Sequence, residues 1–223
     1  MYFERRAQKL GFRVIAGADE AGRGCLFGPV YAAAAVLDPK KPIRGLNDSK
    51  QLTAAEREKL AAEIRSKAKS FAVAAASVAE IRRLNIYHAS RLATKRALLG
   101  LGVSPDYALL DFLRIDLPIE QLPLKKGDAR SRSIAAASIL AKVARDEAMQ
   151  KWDGHYPQYG LAKHKGYGTP EHLAALTEFG PTPQHRFAYE PVAALSPEVG
   201  YRRLYDSQPV QFELFDDASE VLP

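Results

Sequence analysis

The spacing of apolar and polar positions along the chain changes several times, and each change predicts an element. Arg13 to Ala18 (RVIAGA) is a short apolar run, and after a Gly-rich turn Pro29 to Leu37 (PVYAAAAVL) is another; together they predict an antiparallel hairpin. From Thr53, with Glu56 three residues on to complete a capping box, TAAEREKLAAEIRSKAK has helical period with Leu60 and Ile64 on one face. Phe71 to Val78 reads as a strand and His88 to Leu101 as an amphipathic helix closed by Gly102. Tyr107 to Leu110 reads as a buried strand ending at Asp111. Ser131 to Trp152 is long, Ala-rich and free of Pro and Gly, so it predicts a helix whose small side chains permit close packing.

Beyond Trp152 the texture turns aromatic and rich in Gly and Pro (GHYPQYGLAKHKGYGTPEH), before a short helix at about Pro170 to Phe179. The expected organisation is α/β: a mixed sheet with crossover helices over residues 1–153, a small helical C-terminal addition over 154–195, and an acidic tail over 196–223 without sustained period. No internal repeat is visible.

Composition fits this plan. With 47% hydrophobic and 26% charged residues in 223, the chain can bury a core in one compact domain with an appendage. The net charge of +6 understates its basic character, because residues 196–223 hold six acids against Arg202 and Arg203. That net −4 leaves +10 on residues 1–195. An excess of Lys and Arg suits a polyanionic partner, although charge alone does not specify one. Cys25 is the single cysteine, which excludes an internal disulfide. No apolar run approaches the roughly 20 residues needed to cross a bilayer, and MYFERRAQKL lacks a secretory signal. A cytoplasmic protein without a membrane role is expected.

The candidate chemistry lies at the ends of the predicted elements. Asp19 and Glu20 close the first strand and precede Gly22, Arg23 and Gly24. Neighbouring strand residues point to opposite faces, so both acids reach one centre only if the strand ends or kinks there, which the glycines permit. Taken alone, this stretch fits equally a surface turn whose carboxylate pairs with Arg23. Asp111 closes a buried strand, where open α/β sheets present functional groups, but a lone acid there also suits a turn. Asp128, among Lys125, Lys126 and Arg130 and just ahead of the long helix, also fits a helix cap. Together the four carboxylates can converge into a hard-oxygen site for Mg²⁺ or Mn²⁺, whereas one cysteine and five histidines provide no spaced zinc set.

GADEAGRG, GLNDSKQL, KGDARSRSIAAASILAKVARD and HKGYGTPEH, in that order over about residues 13 to 190, closely resemble the bacterial ribonuclease HII (type 2 ribonuclease H) family. The resemblance implies a ribonuclease H-like mixed sheet with a helical C-terminal addition. It also implies an endonuclease that hydrolyses the RNA strand of RNA–DNA hybrids and nicks 5′ to single ribonucleotides in duplex DNA, leaving 5′-phosphate and 3′-hydroxyl ends. Roles in ribonucleotide excision repair and primer RNA removal follow from that activity. Carried across motif by motif, the catalytic and metal-binding acids are Asp19, Glu20, Asp111 and Asp128, holding two Mn²⁺ or Mg²⁺ ions. Backbone groups of Gly22, Arg23 and Gly24 would read the 2′-hydroxyl, and Tyr167 would stack on the sugar of the following deoxynucleotide. Asn47, Ser49, Lys50, Ser138 and Lys142 would contact phosphates.

Lys142 and Asp146, four apart on a helix, equally suit an ordinary intrahelical pair, the reading preferred for Asp146. His164, His172 and His185 are given no role. The chain departs from the resemblance at Phe112, where the family usually has glycine, so an altered local backbone or packing is expected there. QHRFAYEPV also matches the family's ending only in part.

In the tail, Gln211, Leu214 and Phe215, with Phe212 and Glu213 between, resemble the short peptide by which bacterial replication proteins dock on the sliding clamp. A monomer is expected. The competing readings are a ribonuclease HIII-like hybrid nuclease, a DNA-only nuclease on the same scaffold and a non-catalytic hybrid-binding protein. About a dozen residues before the first strand speak against the first, and the retained acids against the last.

Overall fold

The computed structural model describes residues 1–195. Its strands are Ile15–Ala21 (β1), Val30–Val36 (β2), Ser70–Ala76 (β3), Tyr107–Asp111 (β4) and Glu120–Leu124 (β5). They form one sheet in the order β3-β2-β1-β4-β5. The predicted hairpin is present, with β1 and β2 antiparallel and β3 antiparallel to β2; β4 runs parallel to β1, and β5 parallel to β4. The sheet is therefore mixed, as expected. The sequence reading missed β5, whose EQLPL carries a proline; β5 lies at the sheet edge, where proline is tolerated.

Before the C-terminal addition the helices are Tyr2–Lys9 (α1), Ala54–Lys67 (α2), Val78–Leu99 (α3) and Arg132–His155 (α4). Alternation along the strands splits their alanines between two faces. Ala16, Ala18, Ala32 and Ala34 pack with Ile81, Ala89, Ala93 and Ala97 of α3. On the other face Ala33 and Ala35 pack with Ile64 of α2 and Ile139 and Leu140 of α4. Helices thus cover both faces, and small strand residues let them approach closely. At Gly17 any β-carbon would overlap the backbone of Ser133, so this glycine lets the first turn of α4 rest directly on β1.

The third helix differs from expectation. Ser77 and Glu80 form a capping box, so the helix starts at Val78, where the sequence had suggested continuing strand. Asn85 then breaks it, with φ +61° and a side chain that accepts from the amides of Tyr87 and His88. The segment expected from His88 is the second half of this kinked helix.

The C-terminal addition contains Leu161–His164 (α5), Pro170–Phe179 (α6) and Glu190–Ala193 (α7). Its Tyr159, Leu161, Leu176 and Val192 pack on Ala148, Met149 and Trp152 of α4 and on Leu26 and Phe27 after β1. It therefore sits beside the glycine-flanked arginine. Among the described residues no helix is long and apolar enough to cross a membrane.

Candidate active site

Strand register brings the acids together. Pairing of β1 with β4 runs from Ile15–Tyr107 to Ala18–Leu110, so Asp19 and Asp111 are the next residues on two adjacent parallel strands. The expected end or kink of β1 at Asp19 is not found, because β1 stays paired with β2 through Ala21. What ends there is the pairing with β4. Asp19 and Glu20 thus lie beyond the β1–β4 ladder, at the carboxyl end of β4.

Asp128 arrives by way of a glycine. The Gly127 amide donates to Asp111 Oδ1 at 2.7 Å, and a β-carbon at 127 would lie 2.7 Å from Ile134 Cδ1 and 3.3 Å from that oxygen. The bare backbone lets the turn before α4 close onto Asp111. Asp128 is not the helix cap considered from sequence, since Ser131 fills that position and accepts from the Ile134 amide.

The electrostatics register this convergence. Burial pushes the Asp19 carboxyl well above the usual range, aided by Glu20 and Asp111 and opposed by a hydrogen bond from Ser138. Burial raises Glu20 to about 7, with Arg23 opposing and Asp111 adding to the rise. Asp128 is raised by burial, then by Asp48 and Asp111, against Lys50. One oxygen of each acid is engaged: Asp19 Oδ1 by the Glu20 amide, Glu20 Oε1 by Arg23 at 3.2 Å, Asp111 Oδ1 by Gly127 and Asp128 Oδ1 by the Ala129 amide. Among the described residues, no set of three or more His, Cys, Asp or Glu side chains is already drawn into a single ligand sphere. The donor chemistry nevertheless fits a hard divalent cation, because mutually repelling carboxylates need a positive charge between them.

The residues expected at the phosphates divide into two groups. Ser49 and Ser138 are buried and bonded to each other at 2.9 Å, with Ser138 also on Asp19, so here they support the acid. Lys50 is exposed and reaches to 3.9 Å from Asp128. Asn47 binds Gln51 on the surface. Lys142 makes the anticipated pair with Asp146 at 2.7 Å and also lies 5.7 Å from the Tyr167 ring centroid. Phe112 follows Asp111 directly. Its φ is +61°, a conformation open to glycine, and its ring is 66% exposed.

Gly22 has φ +92°, Arg23 pairs with Glu20, and the Leu26 amide donates to the Gly166 carbonyl at 2.8 Å. The last bond ties the Gly22–Gly24 loop to the segment carrying half-exposed Tyr167. Sequence reasoning missed two buried arginines behind these loops. Arg145 donates to the carbonyls of Lys165 and Phe27, and Arg186 to those of Gly28, Arg23 and Pro29. A signal for Arg145 was present, since it sits four residues from both Ala141 and Met149 on the buried stripe of α4. Gln211, Leu214 and Phe215 lie outside the described residues.

Acids gathered beside the ends of adjacent central strands, next to a glycine loop and surface cations, suit a metal-dependent nuclease, and the comparisons with known proteins give the class. The family model described as Ribonuclease HII matches residues 16–192. The ribonuclease HII of Solibacter usitatus (strain Ellin6076) is 50% identical over 215 residues, covering 96% of this chain and 92% of the relative. Among solved structures, ribonuclease H2 from Pyrococcus horikoshii OT3 superposes with a TM-score of 0.70 at 27% identity, over 82% of this chain and 97% of that one. The RNase HII in the PCNA:RNase HII complex from Archaeoglobus fulgidus gives 0.69 at 25% identity with the same coverage. The chain belongs to the ribonuclease HII family and is a ribonuclease H acting on RNA–DNA hybrids. The HIII-like and non-catalytic readings give way to it.

Proposed function

We propose that Asp19, Glu20, Asp111 and Asp128 form the catalytic site and hold two divalent cations, Mg²⁺ or Mn²⁺. The enzyme then nicks 5′ to single ribonucleotides in duplex DNA as well as cutting RNA in hybrids, leaving 5′-phosphate and 3′-hydroxyl ends. The observation that carries this reading is the placement of Asp19 beside Asp111 at the end of the β1–β4 ladder, with Glu20 and Asp128 close enough to feel the charge of Asp111. Bound ions would supply activation of the attacking water and stabilisation of the leaving oxygen. The protein's part is positional. Ser138 orients Asp19, Gly127 orients Asp111, and Lys50 and Lys142 face the substrate backbone with Asn47 nearby. Backbone groups at Gly22, Arg23 and Gly24 read the 2′-hydroxyl, the group that distinguishes RNA from DNA, while Tyr167 stacks on the next sugar.

Cleavage of a duplex carrying one ribonucleotide tests this. With Mg²⁺ or Mn²⁺ the wild type is expected to nick 5′ to the ribonucleotide, and Asp19→Asn to lose nicking by a factor of at least about 10³ while still binding the duplex. Undiminished cutting by Asp19→Asn would remove it from the site. Such activity would serve ribonucleotide excision repair and primer RNA removal.

The Archaeoglobus fulgidus relative is seen in complex with PCNA, and Gln211, Leu214 and Phe215 supply a clamp-docking pattern. Equal retention on an immobilised sliding clamp after these three are changed to alanine would dismiss that role.

A further inference from the structure

We propose that Arg145 is a positioning residue for ribonucleotide recognition, fixing the spacing between the Gly22–Gly24 loop and Tyr167. The inference rests on the reading that these two groups sense the ribose. Arg145 projects from α4 between them. One guanidinium nitrogen donates to the Lys165 carbonyl at 2.7 Å, two residues before Tyr167, and the other to the Phe27 carbonyl at 3.3 Å, beyond the glycine loop. Its Cζ lies 5.7 Å from the Tyr167 ring centroid. Gly22 rests directly on it, since a β-carbon there would overlap Nε and Cδ of Arg145; Gly166 also packs closely, with a β-carbon position 3.3 Å from Nη2.

Arg145 is fully buried and makes no ion pair among the described residues, and its Nε–H has no hydrogen-bond partner. A buried cation satisfied only by main-chain carbonyls is costly to keep, and a residue needed merely to fill α4's stripe would be apolar. What the guanidinium supplies, and no aliphatic side chain can, is a rigid planar fork spanning two loops. Arg186 secures the same loop from the other side, through the carbonyls of Arg23, Gly28 and Pro29. Only Arg145, however, touches the Tyr167 segment as well. It therefore sets the distance between the two readers rather than the shape of either.

Both readers are engaged together only where a ribonucleotide is followed by deoxyribose. In a continuous hybrid the next sugar is also ribose, so the preference for an embedded ribonucleotide over a hybrid reports the spacing. The test compares kcat/KM on a single-ribonucleotide duplex and on a continuous hybrid for wild type, Arg145→Lys, Arg145→Met and Tyr167→Ala, each assayed below its melting midpoint. The ratio of the two activities is expected to fall about tenfold to a hundredfold in both Arg145 variants, the size of effect that a small misplacement of a positioned group produces. Equal losses on both substrates in folded variants, or failure of both variants to fold, would overturn the inference and leave a structural arginine. If Tyr167→Ala also leaves the ratio untouched, the underlying reading of Tyr167 fails instead. A shift with Tyr167→Ala but not with Arg145→Lys or Arg145→Met rejects only the role of Arg145.

Discussion

At the scale of single residues, backbone strain sits next to the acids. Phe112 holds φ +61° immediately after Asp111, and a bulky side chain in the left-handed region costs about 1–2 kcal/mol. Its ring is 66% exposed and recovers little by packing. Phe112→Gly is therefore expected to raise unfolding stability by about 1 kcal/mol, after allowance for the greater freedom of glycine in the unfolded chain. Urea denaturation would show this as a higher midpoint at unchanged slope; a lower midpoint would mean that the ring contributes contacts that outweigh the strain. Gly17, Gly22 and Gly127 show the opposite economy. Each lets another chain segment occupy the place of a β-carbon, namely α4 at Gly17, Arg145 at Gly22 and Ile134 at Gly127.

At the scale of elements, two junctions depend on buried polar groups. Glu4 of α1 is buried at the start of α4, where it accepts from Ser131 Oγ at 2.7 Å and from the Ser133 amide at 3.0 Å. Burial opposes its charge, but those bonds prevail and hold its carboxyl below the ordinary value, as suits an anion at a helix N-terminus. Its contribution is thus present above the ordinary carboxylate pKa and lost as pH falls below it. Glu4→Gln is expected to cost about 1–3 kcal/mol at pH 7 in chemical denaturation, and an unchanged midpoint would refute the junction.

In the C-terminal addition, the Thr182 amide and hydroxyl donate to His185 Nδ1, His185 Nε2–H donates to His172 Nε2, and His172 Nδ1–H donates to the Tyr167 carbonyl. This order requires both imidazoles to be neutral. Burial pushes His172 down to about 4 and His185 to about 3, so their contribution is full above about pH 6.5 and disappears as pH falls towards those values. Melting midpoints between pH 7 and 4 should fall more steeply for wild type than for His185→Gln. Parallel slopes would contradict the chain.

At the scale of the whole molecule, charge separates the described body from the tail. Residues 1–195 contain the four acids, the Gly22–Gly24 loop and Tyr167, and carry +10, against −4 beyond. A chain ending at residue 195 should retain hybrid cleavage within a few-fold of full length. Its affinity for nucleic acid at low salt should rise, because counterion release by basic groups no longer competes with the acidic segment. Loss of cleavage on truncation, measured by kcat/KM across a salt series, would show that the tail belongs to the catalytic unit.

The sequence by itself determined the hairpin β1–β2, the helices α2, α4 and α6, and the position of Asp111 at the end of a strand, because period, capping and glycine placement are local properties. It also marked Gly22, Arg23, Gly24 and Tyr167 through their motifs. The edge strand β5, the amphipathic α1 and the early start of α3 escaped it, since a proline, a short helix and a capping box inside an apolar run give weak or conflicting local signals. Tertiary structure alone decided that β1 continues past Asp19 while its pairing with β4 stops, and that Ser49 and Ser138 face each other rather than solvent. It alone set Arg145 between the glycine loop and Tyr167. These outcomes depend on which strands pair and which helix covers them, and contacts between residues far apart in the chain leave no periodic trace in it.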